Sequence, residues 1–456
     1  MNSDETVRLK DAALNHLWMH NRDWTEAAEE GGPLVVSTGH GIRVTDTDGK
    51  SWIDVNGGYS SVNVGFGRLE IAEAVNEQMH RITYFPQRTT TAPTALLAEK
   101  LAEITPGSLS RVFPVSGGSE ANETSLKIAR AYHNRRGEPE RNKIISRMGS
   151  YHGATGGVLW LGGTDANSRC DYKPANPGFL YAPHPDPTRC ELGGETPSEC
   201  AVRCAEAVDK LIVENNPSTV AAVIAEPVAN GIVPGDEYWP ILREICDRHG
   251  VLLIADEVVT GFGRTGKMFG VDNWGVVPDI MSLGKGIVSS YLPIGASVVT
   301  EEVANHFVGK GNHFRHVFTF SGHPVSAAAS LKNIEIIENE SLVDNALEVG
   351  TYFKEQLEGL VVDHPLVGPV QGLGLILRME IDISRVELAD PLTHEAVSRK
   401  LNDCFTKHSL ILALYGDALI FGPPLCITKQ DVDEIVHAID LSLWEVEGDL
   451  GIAQIG

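Results

Sequence analysis

Two segments of this 456-residue chain carry side chains whose order could do chemistry. In "LLIADEVVTGFGRTG" (252–266), an apolar run leads to Asp256 and Glu257, and then to a G-x-G-x-x-G of Gly261, Gly263 and Gly266. A glycine turn that receives a dinucleotide should follow its strand at once, so that a helix N-terminus faces the pyrophosphate. Here "DEVVT" intervenes, and the two acids would repel that anion. A carboxylate at the end of a buried strand suits a cation instead, and a protonated pyridine nitrogen is one. Such a ring demands a lysine able to form a Schiff base after another strand. "DIMSLGKGI" (279–287) supplies Lys285, set between Gly284 and Gly286, which let the backbone approach a bulky ligand. An ordinary exposed lysine is the plain alternative for any single residue, but not for one in this setting.

The same ligand needs a cradle for phosphate. "FPVSGGSEANETSLKIAR" reads as a strand, a turn through Ser116, Gly117, Gly118 and Ser119, and then a helix whose dipole favours an anion. "GSYHGATGG" places Tyr151 and His152 after a short apolar run, where an aromatic could stack on a planar ring or be buried as core. "VIAEPVANG" ends a further run with Glu226, suited to the ring's edge or to capping a helix. "HVFTFSGHPVSAAASL" puts Thr319 and Ser321 ahead of a helix predicted to begin at Pro324. Singly these are soft signals; together they surround one planar, phosphorylated, cationic ligand.

The elements that must position these residues follow from hydrophobic patterning. Continuous apolar runs at 111–115, 143–146, 220–227, 251–257, 279–284 and 294–300 suit strands covered on both faces, hence a mostly parallel sheet. Amphipathic segments alternate with them, including "YWPILREICDRHG", which stops at Gly250. An α/β large domain over 65–325 is expected. Near-alternation over 34–55, with a turn at Asp48-Gly49, predicts a small antiparallel unit. Near the other end, Thr428 and Asp431 form an acidic capping box ahead of the stripe Val432, Ile435, Val436, Ile439 and Leu443. Residues 1–64 and 326–456 are therefore expected to join in one smaller α+β domain.

Bulk properties exclude several partners. The formal net charge of −24 argues against nucleic acid and anionic membranes. No apolar run is long enough to span a bilayer, and the polar, acidic N-terminus lacks a secretory layout, which predicts a cytoplasmic protein. Seven cysteines are scattered, with Cys190, Cys200 and Cys204 clustered in and after the loop-like excursion "YAPHPDPTRCELGGETP". Paired C-x-x-C units are missing and His184 is the one imidazole nearby, so reduced thiols on a surface excursion are expected rather than a metal.

In "GGSEAN", "YHG", "AEPV", "DEVVTGFGRTG", the lysine of "SLGKGI", "TFSGHP" and "GDALIFGPPLCIT", taken in order, the chain resembles the class III (fold type I) pyridoxal-phosphate aminotransferases. The match covers nearly everything after about residue 30. The resemblance implies a homodimer with shared sites, with tetramers a further option. Lys285 would carry the cofactor as a Schiff base and move the substrate proton, and Asp256 would pair with the pyridine nitrogen. Val258 would pack under the ring and Tyr151 over it. Gly118 and Ser119 would bind phosphate, joined by Thr319 of the other subunit, and Glu226 would stand behind the ring.

Departures from the family bear on the substrate. Relatives acting on ω-amines and pyruvate commonly have Trp where this chain has Ser60, after Tyr59, and an arginine for the keto-acid carboxylate where it has Ala413. Two pocket positions that are usually aromatic are Arg22 and Arg88, which could hold an anionic substrate or simply face solvent and surface acids. The expected reaction passes an amino group from an amine or ω-amino acid, taurine-like compounds included, to a small keto acid such as pyruvate. A racemase or epimerase on the same scaffold, a nicotinamide dehydrogenase, and a cofactor-binding protein without turnover are the rival readings.

Overall fold

A computed structural model describes residues 3–86, 88–162, 169–385 and 394–452. Strands β1 (Val36–His40), β2 (Arg43–Asp46) and β3 (Ser51–Asp54) form the antiparallel unit near the N-terminus. Its turn is organised by Asp46, whose carboxylate accepts the N–H groups of Asp48 and Lys50 and the indole N–H of Trp52 at 2.8–2.9 Å.

The large sheet is built from β4 (Leu109–Val115), β5 (Lys143–Arg147), β6 (Phe179–Ala182), β7 (Val220–Ala225), β8 (Leu252–Asp256), β9 (Ile280–Leu283) and β10 (Gly295–Thr300). Its spatial order is β4-β10-β9-β8-β7-β5-β6, and only β10 runs against its neighbours. Every residue of β7, β8, β9 and β10 is buried, as continuous apolar runs require of strands covered on both faces. One consequence matters for chemistry: the carboxyl ends of β4, β5, β7, β8 and β9 lie along one edge of the sheet.

The remaining strands are β11 (Val367–Leu373), β12 (Ile376–Ile381), β13 (Leu410–Ile411), β14 (Leu414–Tyr415) and β15 (Ala418–Phe421). Four of them make an antiparallel sheet ordered β11-β12-β15-β14. The fifth, β13, pairs in parallel with β3, so the N-terminal unit is completed by the C-terminal part of the chain and is not purely antiparallel. Chain-distant pairing of this kind leaves no local sequence signal.

Caps form where the residue types predict them. Gly250 closes the helix Tyr238–His249 in the left-handed conformation, with φ 62°. Thr428 and Asp431 make a reciprocal capping box for the helix Lys429–Asp449, whose buried stripe includes Val432, Ile435, Ile439 and Leu443. Pro324 opens the helix Pro324–Asn339. Strand β6 carries no local sequence signal, being short and half-buried without alternation, and one expectation needs correction. Cys200 and Cys204 are not surface thiols: both are buried on the helix Pro197–Glu214 and belong to the core. Among the described residues, no helix is long and apolar enough to cross a membrane.

Candidate active site

The strand ends bring the chemistry-bearing residues together. After β9, Lys285 opens a 3-10 turn with φ 42°, and its Nζ donates to the Tyr59 carbonyl at 2.8 Å. Burial drives its pKa down to about 8, against the opposing pull of Asp256 and with a further push from Arg264. At pH 7 roughly a tenth of such amines are uncharged, against about one in three thousand for an ordinary lysine. Around it the backbone is crowded. A Cβ on Gly284 would lie 3.2 Å from the Cα of Gly118, and one on Gly118 would meet Val258 at 2.7 Å.

The helix Gly118–Arg135 begins at the same edge, after β4. Gly117 precedes it without a side-chain cap, and a Cβ there would meet nothing within 4 Å. Ser119 sits in the first turn, where its hydroxyl accepts the N–H of Ala154 at 3.2 Å. The N-cap of this 18-residue helix therefore borders open space, and a helix N-terminus beside open space is suited to a phosphate.

Asp256 is buried at the end of β8. Its Oδ2 accepts the side-chain N–H of Asn122 and the Nδ1–H of His152, both at 2.7 Å. Among the described residues, Oδ1 accepts only the Val258 N–H, at 3.1 Å, which leaves it room for one more donor. His152 Nε2 stands 3.7 Å from Glu226, beyond hydrogen-bond reach. Burial opposes the imidazolium, but the flanking Glu226 and Asp256 outweigh it and raise the His152 pKa. Glu226, after β7, takes Arg147 Nη2 at 3.0 Å and the Tyr151 N–H at 2.9 Å. Its own burial would raise it, yet His152, Arg147 and the Tyr151 amide together hold it at about 2. The four groups alternate in sign: Asp256, His152, Glu226, Arg147.

Arg147 is 2% exposed, so its loss would strand the Glu226 charge in the interior. Arg147→Met is expected to lower the unfolding free energy by about 3–5 kcal/mol, read by denaturant titration at neutral pH. Because Glu226 lies below its ordinary 4.5, the pair stabilises above that pH and loses its contribution as the pH falls toward 2. The deficit of the variant should therefore shrink in acid; a deficit independent of pH would assign it to packing instead.

Tyr59 and Ser60 lie in an unusual turn. Gly57, Gly58, Tyr59 and Ser60 all have φ between 57° and 63°, one turn of left-handed helix. Asp54 holds it, accepting the N–H groups of Asn56, Gly57 and Gly58. For the two non-glycine residues this conformation costs roughly 1–2 kcal/mol each, and its product is a carbonyl aimed at Lys285. Ser60 is buried and Tyr59 is 72% exposed. Ala413 is half-buried on the connection between β13 and β14, and β13 is joined to the chain just ahead of this turn through the bond from Val55 N to Ile411 O.

Other candidates lie farther out. Arg22 is ion-paired with Glu30. Arg88 and Thr319 are exposed, and the Thr319 carbonyl accepts the Tyr84 hydroxyl at 2.9 Å. The G-x-G-x-x-G turn is not followed by a phosphate-facing helix. Next comes the 3-10 turn Gly270–Asn273, where the N–H groups of Gly270 and Val271 are taken by Glu257 at 2.8 Å. Gly263 instead packs against Leu425 and Gly266 against Leu347. Asn122, Arg147 and Asp54 were not singled out from sequence. Asn122 stands inside the glycine motif and Arg147 three residues ahead of Ser150, but which acid each meets depends on strand order.

The family description Aminotransferase class-III matches residues 25–443. A taurine–pyruvate aminotransferase of Bilophila wadsworthia is 38% identical over 436 residues, 92% of this chain and 94% of that one. A putrescine–pyruvate aminotransferase of Pseudomonas aeruginosa is 36% identical over 413 residues, 89% of this chain and 90% of that one. Among solved structures, an (S)-enantioselective omega-transaminase from Thermomicrobium roseum superposes with a TM-score of 0.92 at 36% identity, covering 98% of this chain and 99% of that one.

Proposed function

This chain belongs to the class-III aminotransferases, and we propose that it moves an amino group from an amine or ω-amino acid to a small keto acid such as pyruvate, using pyridoxal 5′-phosphate. The observation that carries this reading is a depressed, half-buried lysine and a buried aspartate at neighbouring strand ends beside an open helix N-terminus. When bound, the cofactor supplies an aldehyde carbon to take the amino group and a cationic ring to accept electrons from the substrate Cα. The residues present fit it: the first turn of Gly118–Arg135 would hold the phosphate, and Asp256 Oδ1 has room for the ring N–H. Val258 and Tyr151 would enclose the ring's faces.

Lys285 Nζ would bind the aldehyde carbon and, once free, carry a proton away from the substrate Cα. The Tyr59 carbonyl gives the freed amine a resting place 2.8 Å away. Asp256 would keep the ring nitrogen protonated, while His152, Glu226 and Arg147 fix the aspartate's charge and orientation. A visible absorption band in the purified protein, lost on adding an amine donor and restored by pyruvate, is the expected result. An enzyme that exchanges substrate stereochemistry without a keto acid would instead be a racemase, and a protein that takes up no cofactor would overturn the reading.

A second copy of the chain would complete the site. Phe85, Val317 and Phe320 are exposed beside Thr319, and the first two line a cavity of about 400 Å³ with Thr91 and Ser321. Covering this apolar region would place Thr319 and Arg88 at a subunit boundary in the cytoplasm. There Arg88 would bind the carboxylate or sulfonate that Ala413 cannot. Arg88→Ala is then expected to raise KM for anionic substrates by an amount worth about 2–4 kcal/mol, with neutral amines nearly unaffected. Equal changes for both classes in steady-state assays would move the acid-binding cation elsewhere.

A further inference from the structure

The three clustered cysteines are brought together by the fold in a way their spacing does not suggest. Cys200 and Cys204, four residues apart, share one buried face of the helix Pro197–Glu214. Cys190 reaches them from the preceding loop, and the three sulfurs all lie within 4.8 Å of one another. Three thiolates about 2.3 Å from a tetrahedral ion stand roughly 3.8 Å apart, so the arrangement needs to close by an ångström or less.

The loop itself is shaped around a sulfur ligand. Residues 190–194 turn back on themselves through the Gly193 N–H to Cys190 carbonyl bond at 3.0 Å, with Gly193 at φ 69°. The backbone amides of Gly194 and Leu192 lie near enough to the Cys190 sulfur to favour its thiolate. Gly194 rests against the helix where a Cβ would lie 2.6 Å from Cys200 N. Arg203, on the helix between the two buried cysteines, donates to the carbonyls of Leu192 and Gly193 at 2.9 and 2.8 Å. Two sulfurs at helical spacing and a third brought beside them by a tight glycine turn are the donor set a thiolate-bound cation requires.

We propose that Cys190, Cys200 and Cys204 bind a zinc ion through three thiolates, with water at the fourth position on the half-exposed Cys190 side. Soft sulfur donors select zinc over magnesium or calcium. Three S–Zn bonds form, and the protons of those cysteines that are thiols leave to solvent. These include the Cys200 and Cys204 hydrogens now directed at the Asp186 and His184 carbonyls. Burial lifts Cys204 to about 11 and Cys200 higher still, so the metal must displace these protons. For Cys190, burial acts upward but the neighbouring Cys200 sulfur and the loop amides outweigh it.

The ion would act as a staple. The same excursion grips the C-terminal sheet through Arg189 to Glu380 and Asp417, and through Thr188 to Gln371 at 3.0 Å. Metal analysis of the full-length, tag-free protein from zinc-supplemented cells is expected to give about one zinc per chain, released by an organomercurial thiol reagent and detected with a chromophoric chelator. Growth on cobalt should yield intense thiolate-to-cobalt bands of a tetrahedral site. Cys190→Ser, at the half-exposed position, should remain folded, lose most of its zinc and melt several degrees lower. Zinc below about a tenth of an ion per chain in the parent protein, with these thiols freely alkylated or joined in a disulfide, would overturn the proposal whatever the variants do.

Discussion

Lys285→Ala is expected to abolish turnover with every amine donor while leaving the fold intact. Under the proposed function the Nζ would do two things that no neighbour can replace: bind a carbonyl carbon and move a proton. Its setting supports both. A pKa near 8 gives a usable fraction of neutral amine at physiological pH, and the Tyr59 carbonyl holds that amine in reach without neutralising it. The groups acting on it offer no substitute base, because Tyr59 contributes a carbonyl and Asp256 is engaged by Asn122, His152 and Val258. Truncation removes a half-buried, desolvated cation, so stability should rise slightly or stay level. Cofactor should still be retained through the helix N-terminus, more weakly. Single-turnover absorbance changes on mixing with amine would measure the loss, and transamination at near-parental rate would refute the assignment of Lys285 and of the reaction together.

The parts of this site that were legible in the sequence are those encoded by one segment at a time. An apolar run ending in Asp256, and a glycine-flanked Lys285 after another run, both mark the carboxyl end of a buried strand. The pairings between segments were not legible. Arg147 meets Glu226 because β5 and β7 are neighbours in the sheet, although 79 residues separate them in the chain. Asn122 reaches Asp256 because the helix after β4 lies over β8 and β9. The left-handed turn at 57–60 was hidden for another reason. Tyr59 and Ser60 are poor residues for that conformation, and it persists because Asp54 and the tight approach of Gly57 to the Gly422 carbonyl over-determine it. Cys190, Cys200 and Cys204 lacked a familiar spacing because two are set by helical pitch and the third by a glycine turn.

Asp256→Asn is expected to slow proton removal by about three to five powers of ten, some 4–7 kcal/mol of barrier, while cofactor stays bound. The substitution keeps shape and size but changes two things at once. The first is charge: a neutral amide cannot stabilise a protonated ring nitrogen, so electrons from the substrate Cα have a weaker sink. The second is hydrogen-bond polarity. Oδ2 now accepts from Asn122 and from His152, and Oδ1 accepts from the Val258 N–H. An amide has one oxygen and one NH2, so either orientation sets a donor against a donor on one side. With its oxygen toward Asn122 and His152, its NH2 would face the Val258 amide and the place of the ring N–H. Reversed, its NH2 would confront both Asn122 and an imidazole whose raised pKa came partly from the lost carboxylate. The ring nitrogen is thus left without an acceptor, or the hydrogen bond from His152 is lost. A modest fall in Tm, normal phosphate-anchored retention and a large fall in kcat with little change in KM is the pattern that separates lost charge stabilisation from unfolding. Parental kcat with normal cofactor binding would show that some other group holds the ring nitrogen, and Asp256 would then be a framework residue orienting His152.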